Sequence, residues 1–109
     1  MTVNEISKAL GFKELSTPDP DRAITGVYIG DLLSWVMGKA SEGNAWITIM
    51  SNVNVIAVAT LSDVACVIFA EGVMPDADLI RLANEKGVNL LSSVESAFEI
   101  AIKLSGVLA

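Results

Sequence analysis

The sequence contains no histidine and a single cysteine, so most side chains that proteins use for catalysis and metal binding are missing. Histidine is the usual general acid-base group near neutral pH and the commonest metal ligand. One cysteine can form neither a disulfide framework nor a zinc site. Cys66 stands in the apolar run VACVIF, which predicts a small buried side chain and not a reactive thiol.

Aromatic and basic residues are also scarce. Aromatic residues make up 6% of the chain against 52% hydrophobic residues, which predicts a core of Val, Ile, Leu and Ala, as in layered α/β proteins. Seven Lys and Arg residues against thirteen Asp and Glu residues give a net charge of −6. The basic residues are scattered along the chain, so we expect no nucleic-acid partner, because such a partner requires a basic patch.

The motifs of several large enzyme classes are missing as well. The sequence has no G-x-S-x-G elbow, no Walker A loop and no G-x-G-x-x-G fingerprint. The acidic runs PDPD and DAD lack the twelve-residue pattern of a calcium loop, so we expect no metal site. Asn and Ser interrupt the longest window of low charge, residues 45–61, and no signal or lipidation motif opens the chain. We therefore expect a cytoplasmic protein without a membrane partner.

At 109 residues the chain fits a single domain, which we place at residues 1–109. The pattern VNEISKAL predicts a first helix over residues 3–10 that ends at Gly11. The segment STPDPDRAI, residues 16–24, is rich in proline and aspartate and predicts a surface loop. From Gly26 onward, β-rich and helical patterns alternate.

The alternating part begins with the strand GVYIG and the helix DLLSWVMG, which Asp31 is positioned to cap. AWITIM predicts the next strand, and VACVIFAEG predicts a strand buried on both faces. PDADLIRLANEKG predicts a helix from Asp76 to Gly87, and VNLL a short strand. The last helix is predicted within SSVESAFEIAIKL, with Ser92 and Glu95 as its capping box. The apolar faces expected to point inward are Leu32, Leu33, Val36 and Met37 in DLLSWVMG, and Val94, Ala97, Phe98 and Ala101 in the last helix.

The segment SNVNVIAVATLSD, residues 51–63, fits two structures. Its Val and Ile residues favour a strand, whereas Ser51 or Asn52 would cap a short helix. A helix gives the order βαβαβαβα, and so a single three-layer α/β domain with a mostly parallel sheet of about four to five strands and βαβ crossovers. A strand gives a hairpin and a mixed sheet. We favour the helix, because the hairpin needs two long, wholly apolar antiparallel strands.

Ligands of open α/β sheets bind beyond the carboxyl ends of the strands, where helix N-termini present free N–H groups. This rule selects two residues after each strand of the alternating part. The candidate ligand-binding residues are Gly30, Asp31, Ser51, Asn52, Glu71, Gly72, Ser92 and Ser93. Helix caps and turns require the same residue types, so a purely structural role stays open, and no catalytic role is favoured at any of them.

The two tryptophans have different predicted roles. Trp46 begins a strand and is expected in the core. Trp35 lies on a helix whose inward face is already filled by Leu, Val and Met, so we expect it to point outward as an interface residue. A second copy of the chain is the simplest partner that could bury such a side chain, so we predict a homodimer.

The stretch ITGVYIGDLLSWVMGKASEGNAWITIMSNVNVIAVATLSDVACVIFAEG resembles a stand-alone DRTGG domain. The similarity continues through PDADLIRLANEKGVNLLSS to the last helix. Such domains are similar to the N-terminal domain of HPr kinase/phosphatase. The resemblance implies an α/β fold with a helix over residues 51–63. It also implies a non-catalytic regulatory or ligand-sensing module. The ligand it implies is a nucleotide or a phosphorylated metabolite, and it indicates no particular cofactor.

The sequence departs from the family pattern at two motifs. The family's Gly-Asp-Arg motif aligns near Met50, Ser51 and Asn52, so the Asp-Arg pair is missing, and its Thr-Gly-Gly motif aligns with residues 70–72, which leaves one glycine. The segments DLLSWVM and WITI resemble those of small single-domain family members. These members are found with iron-only hydrogenase components and related redox proteins of anaerobes. The resemblance thus implies a hydrogenase or redox protein partner. An interaction adaptor without a small-molecule ligand is the alternative function.

Overall fold

The computed structural model describes residues 1–108, which form five helices and five strands. In chain order these are α1 (Val3–Leu10), β1 (Lys13–Ser16), β2 (Gly26–Ile29), α2 (Leu33–Lys39), β3 (Asn44–Thr48), α3 (Asn54–Ser62), β4 (Cys66–Phe69), α4 (Ala77–Lys86), β5 (Leu90–Ser92) and α5 (Ala97–Leu108). The order from β2 to α5 confirms the predicted βαβαβαβα alternation. None of the helices in residues 1–108 has the length and apolar content that crossing a membrane requires.

The five strands form one sheet in the order β1-β5-β4-β3-β2. The strands β2 to β5 are parallel, whereas β1 runs antiparallel to β5, with Lys13 opposite Ser92. This confirms a mostly parallel sheet. The strand β1 was not predicted, because its four residues KELS include the exposed charged residues Lys13 and Glu14 and only one apolar side chain.

Helices cover both faces of the sheet, which confirms the three-layer architecture. The helices α1 and α5 pack on one face, and α2, α3 and α4 pack on the other. The alternating residues of β4 divide between the two cores: Cys66 and Ile68 face α1 and α5, while Val67 and Phe69 face the other layer. Burial removes the Cys66 thiol from water and raises its pKa to about 12, as expected for an apolar core residue.

The ambiguous segment forms a helix, as we predicted. Its residues Val55, Ile56, Val58 and Ala59 are buried against the sheet. The helix starts later than expected, and the residue before it, Val53, has no side chain that could cap it. Asn52 provides a capping bond, as one of the two predicted alternatives stated, because its amide oxygen accepts a hydrogen bond from the N–H of Asn54, the first residue of α3, at 2.9 Å.

The inward face predicted for α2 is only partly correct. Val36 is fully buried and Leu33 packs on the core, but Leu32 and Met37 are 61% and 49% exposed. With seven residues α2 makes two turns, so it offers the sheet a narrower face than the pattern implied. Trp35 is 60% exposed, which confirms its outward orientation.

The capping box of α5 lies four residues later than predicted. Ser92 is buried in β5, so the helix begins at Ala97. Its box is formed by Ser96 and Glu99, each of whose side chains accepts a hydrogen bond from the other residue's backbone N–H, at 3.2 and 3.1 Å. The later start moves Val94 and Phe98 outward, to 85% and 72% exposure, while Ile100 and Leu104 become the buried residues. Ala97 and Ala101 pack at the edge of the core.

Candidate ligand-binding site

The eight predicted site residues follow the carboxyl ends of the parallel strands, but they do not form one pocket. Gly30 and Asp31 lie beside the end of β3, and Ser51 and Asn52 lie near the start of α4. The other four residues, Glu71, Gly72, Ser92 and Ser93, gather where β4 and β5 end. The strand order of the sheet places these three groups of residues apart, and each group has different neighbouring side chains.

Asp31 forms hydrogen bonds to the end of β3 and does not cap α2, so the predicted helix cap at Asp31 is wrong. Its Oδ1 accepts hydrogen bonds from the Thr48 hydroxyl at 2.8 Å and from the Ile49 N–H at 2.9 Å. The neighbouring Gly30 carbonyl accepts a hydrogen bond from Nε1 of the buried Trp46 at 2.8 Å. A side chain at Gly30 would collide with the Tyr28 ring, since a Cβ there would lie 2.8 Å from a ring carbon. This pair therefore holds the β2–β3 edge together.

Ser51 and Asn52 line a cleft of about 400 Å³ whose other polar residues are acidic. Asp76 and Asp78 from the start of α4 share this cleft, and Asp76 caps α4 by accepting the Leu79 N–H at 2.9 Å. Two carboxylates repel anionic ligands. Within residues 1–108, no group of three or more His, Cys, Asp or Glu side chains is placed to hold a metal ion.

A second cleft, of about 480 Å³, opens where β5 ends, β1 begins and α5 passes. It contains Gly72, Ser92 and Ser93 from the predicted set. We call it the lysine cleft, because two of the seven basic residues of the chain lie on it. Its lining residues are Leu10, Gly11, Lys13, Gly72, Met74, Ser92, Ser93, Val94, Glu95 and Lys103.

The polar side chains of the lysine cleft form a short chain of hydrogen bonds. Lys103 Nζ donates to Glu95 Oε1 at 2.8 Å, and the Ser93 hydroxyl donates to the same oxygen at 3.2 Å. The bond from Lys103 lowers the pKa of Glu95, so this carboxyl is charged at neutral pH. With two lysines and one glutamate, the cleft has a formal charge of +1 in a chain whose net charge is −6.

The turn after β4 connects the strand ends beneath this cleft. Glu71 and Gly72 both have left-handed backbone conformations, with φ of 60° and 74°. The Glu71 N–H donates to the Glu95 carbonyl at 2.8 Å, and the Gly72 N–H donates to the Ser93 carbonyl at 2.9 Å. Because both N–H groups are used inside the protein, recognition of an anion in this cleft rests on side chains.

The sequence interpretation missed both cleft lysines. Lys13 reaches the cleft because β1 is antiparallel, which brings its first residue next to Ser92 at the end of β5. Lys103 reaches it from the second turn of α5, which returns over the same strand end. The two residues are ninety positions apart, so no local pattern could have joined them.

The fold and the cleft together define a three-layer α/β domain with a ligand-sized cavity at the carboxyl edge of its sheet. The family model of the DRTGG domain matches residues 6–107. The chain therefore belongs to the DRTGG domain family, which confirms the resemblance seen in the sequence. No curated protein is significantly similar to the chain.

A solved structure has a similar fold. It comprises the CBS and DRTGG domains of the regulatory region of Clostridium perfringens pyrophosphatase, complexed with the activator diadenosine tetraphosphate. The TM-score is 0.70 at 14% identity, and the match covers 94% of this chain but 45% of that one. At this identity the likeness concerns the fold, and the present chain spans less than half of its neighbour.

Proposed function

We propose that this protein is a non-catalytic regulatory domain that senses a nucleotide or phosphorylated metabolite in the lysine cleft. The observation that carries the proposal is the local positive charge of this cleft. Lys13 and Lys103 approach it from two different elements, whereas the chain as a whole is acidic. A net negative protein excludes anions from most of its surface, so a positive cleft provides both attraction and selectivity.

The rest of the lining suits a ligand with an anionic and an apolar part. Lysine ammonium groups bind phosphate as point charges, and serine hydroxyls add donors. Leu10, Met74 and Val94 offer apolar surface to a base or another non-polar group. The diadenosine tetraphosphate bound by the pyrophosphatase region, which shares this fold, supports a nucleotide as the first class to test.

Of the eight predicted residues, Gly72, Ser92 and Ser93 belong to the proposed site. Glu71 supports it through its backbone hydrogen bond to Glu95. The other four residues, Gly30, Asp31, Ser51 and Asn52, are assigned structural roles in the turns after β2 and β3. The proposal thus keeps the predicted edge of the sheet but restricts binding to one corner of it.

The chemistry of the cleft supports a binding role over a catalytic one. In this cleft the Ser93 hydroxyl donates to the Glu95 carboxylate, but Glu95 is a weak base because Lys103 lowers its pKa. Ser92 donates a long contact of 3.6 Å to the Met74 sulfur, and its hydroxyl makes no hydrogen bond to a carboxylate among residues 1–108. Neither serine is therefore activated as a nucleophile.

The test is a titration of the full chain with ATP, ADP and diadenosine tetraphosphate, followed by calorimetry and by amide chemical shifts. We expect saturable binding, with the largest shift changes at residues 92–95 and 103. Absence of binding by all three nucleotides and by inorganic phosphate contradicts the proposal. Binding that shifts residues 51–54 and 76–79 instead contradicts the assignment of the site.

We further propose that the protein acts in the cytoplasm as a homodimer with an iron-only hydrogenase or related redox protein as partner. The support for this partner is the resemblance of DLLSWVM and WITI to the small family members noted above. The support for the homodimer is the exposed Trp35, whose ring lies 5.3 Å from Lys39 Nζ. Co-purification of the full chain with a defined hydrogenase component tests the partner, and failure of every such component to co-purify contradicts it.

An interaction adaptor without a small ligand is the second candidate function. It is favoured by the exposed apolar residues Phe98 and Ile102 on one side of α5 and by the exposed Val94 in the bend before that helix. An adaptor binds its protein partner equally well with or without nucleotide. A regulatory domain changes that affinity when nucleotide is added, so the same binding assay distinguishes the two functions.

A further inference from the structure

The two edges of the sheet differ in how they are protected against pairing with another strand. On the β1 edge, Lys13 and Glu14 are exposed, the pairing register shifts between Glu14 and Ser16, and Pro18 and Pro20 follow. Charges, irregular pairing and prolines are the usual means by which proteins block edge strands. The β2 edge has none of them: GVYI is uncharged, and its register with β3 is regular.

Apolar side chains continue the unprotected β2 edge onto the helix layer. Ile29, Leu32 and Trp35 are 48%, 61% and 60% exposed. On α2, Val36 points to the sheet, and Leu33 and Ala40 pack on the core on one side of it. Trp35 is turned about 100° from Val36 in the opposite sense, which directs it away from α3 and toward the β2 edge.

The charge distribution at the β2 edge favours a second copy of this chain as the partner that covers this edge. Residues 23–38 contain a single charged side chain, Asp31, whose Oδ1 is bonded to Thr48 and Ile49. The next charge along the chain is Lys39, whose Nζ lies 5.3 Å from the centre of the Trp35 ring. A two-fold interface places a surface against itself, so like charges would oppose one another there. In a chain with a net charge of −6, this edge carries few charges and is therefore suited to self-association.

We infer that β2 pairs antiparallel with β2 of a second copy across a two-fold axis, which joins two five-stranded sheets into one of ten strands. A stable dimer buries about 800 Å² per partner, about 15% of the 5389 Å² surface of this chain. A four-residue strand is too small to supply that area, so the two α2 helices must also meet, with Leu32 and Trp35 between them. This gives the predicted homodimer a specific surface and symmetry.

The inferred interface is independent of the proposed ligand site. The lysine cleft adjoins β1 and β5, and the interface lies at β2, the opposite edge of the sheet. Failure of one proposal therefore leaves the other intact.

The first test is the mass of the full chain in sedimentation velocity, together with hydrogen exchange at several concentrations. We expect twice the chain mass of 11.5 kDa and slower exchange of the amides of residues 26–29 as concentration rises. A chain that stays monomeric at its highest soluble concentration overturns the inference. So does a dimer whose protection appears at residues 94–102 and not at residues 26–29.

Charge-introducing variants provide the second test. We expect Ile29→Lys and Trp35→Glu each to raise the dimer dissociation constant at least about tenfold, because both place a charge inside the inferred apolar interface. Leu61→Lys on α3 is the matched control, since Leu61 is 72% exposed and lies away from the β2 edge, and it should leave the dimer unchanged. Circular dichroism verifies that all variants are folded. A dimer insensitive to both interface variants contradicts the inference.

Discussion

The strand ends at Asp31 and at Ser93 look alike in the sequence, but they have different roles in the structure. Each offers a small polar residue after a β-strand. At Asp31 the carboxylate is used by two donors of the adjacent strand end, with bonds of 2.8 and 2.9 Å. At Ser93 the side chain lies on an open cleft with Lys13, Glu95 and Lys103. A polar strand end becomes a candidate site only when its neighbours leave it accessible and add charge.

The largest expected effect is on ligand binding at the lysine cleft. Lys103→Ala takes the cleft from a formal charge of +1 to neutral and leaves Glu95 without its partner. Hydrogen bonds to charged groups contribute about 1.5–3 kcal/mol, so we expect nucleotide affinity to fall roughly ten- to hundredfold. Calorimetry measures this change. Lys86→Ala, on the other side of the sheet, is the control and should bind normally; equal losses in both variants contradict the site.

The next effect is on stability, at the other strand end. Asp31→Ala leaves the Thr48 hydroxyl and the Ile49 N–H without their acceptor, and Thr48 is buried. We expect the free energy of unfolding to fall by about 1–3 kcal/mol, measured by urea denaturation. Asp31→Asn keeps an oxygen acceptor and should lose less. Nucleotide affinity should stay unchanged in both, and a loss of binding without a loss of stability would reverse the roles of the two strand ends.

A smaller effect, of opposite sign, is expected in the turn below the cleft. Glu71 has a φ of 60°, a left-handed conformation that costs a non-glycine residue about 1 kcal/mol. Glu71→Gly removes that cost, so we expect thermal stability to rise in a calorimetric scan. The gain is reduced by the greater entropy of glycine in the unfolded chain. Gly72→Ala, at a φ of 74°, should destabilise the protein, and a stabilising Gly72→Ala would disprove this account of the turn.

The smallest effect is a pH dependence from Glu95. Lys103 lowers the pKa of Glu95 in the folded state, so the unfolded chain binds more protons than the folded one as acid is added. The stabilisation is therefore present at neutral pH and is lost as the pH falls through the folded-state pKa. We expect the stability difference between the wild type and Glu95→Gln to shrink on acidification, as measured by denaturation at a series of pH values. A difference that grows in acid contradicts the assignment.

Glu95→Gln also tests the proposed ligand site. Removal of this carboxylate frees Lys103 and takes a negative charge out of the cleft, so nucleotide affinity should rise several-fold. Weaker binding would instead assign Glu95 a direct role in recognition.

Local patterns predicted most helices and strands correctly. The helix α4 is the clearest case, because Asp76 caps its start and Gly87, with a φ of 75°, ends it where the sequence placed them. The strand β4 is buried on both faces, as its unbroken apolar run indicated. The capping box of α5 was misplaced because SSVE and SAFE both fit the pattern. Only the burial of Ser92 in β5 decides between them.

The sequence by itself determined the order of elements, the composition of the core and the edge of the sheet where polar residues gather, because these depend on neighbouring residues along the chain. The tertiary structure decided which polar residues meet. Antiparallel pairing of β1 with β5 brings Lys13 to Ser92, and α5 adds Lys103. The pairing of β2 with β3 places Asp31 against Thr48 and Ile49. Such contacts depend on strand order and orientation, which local propensity does not specify.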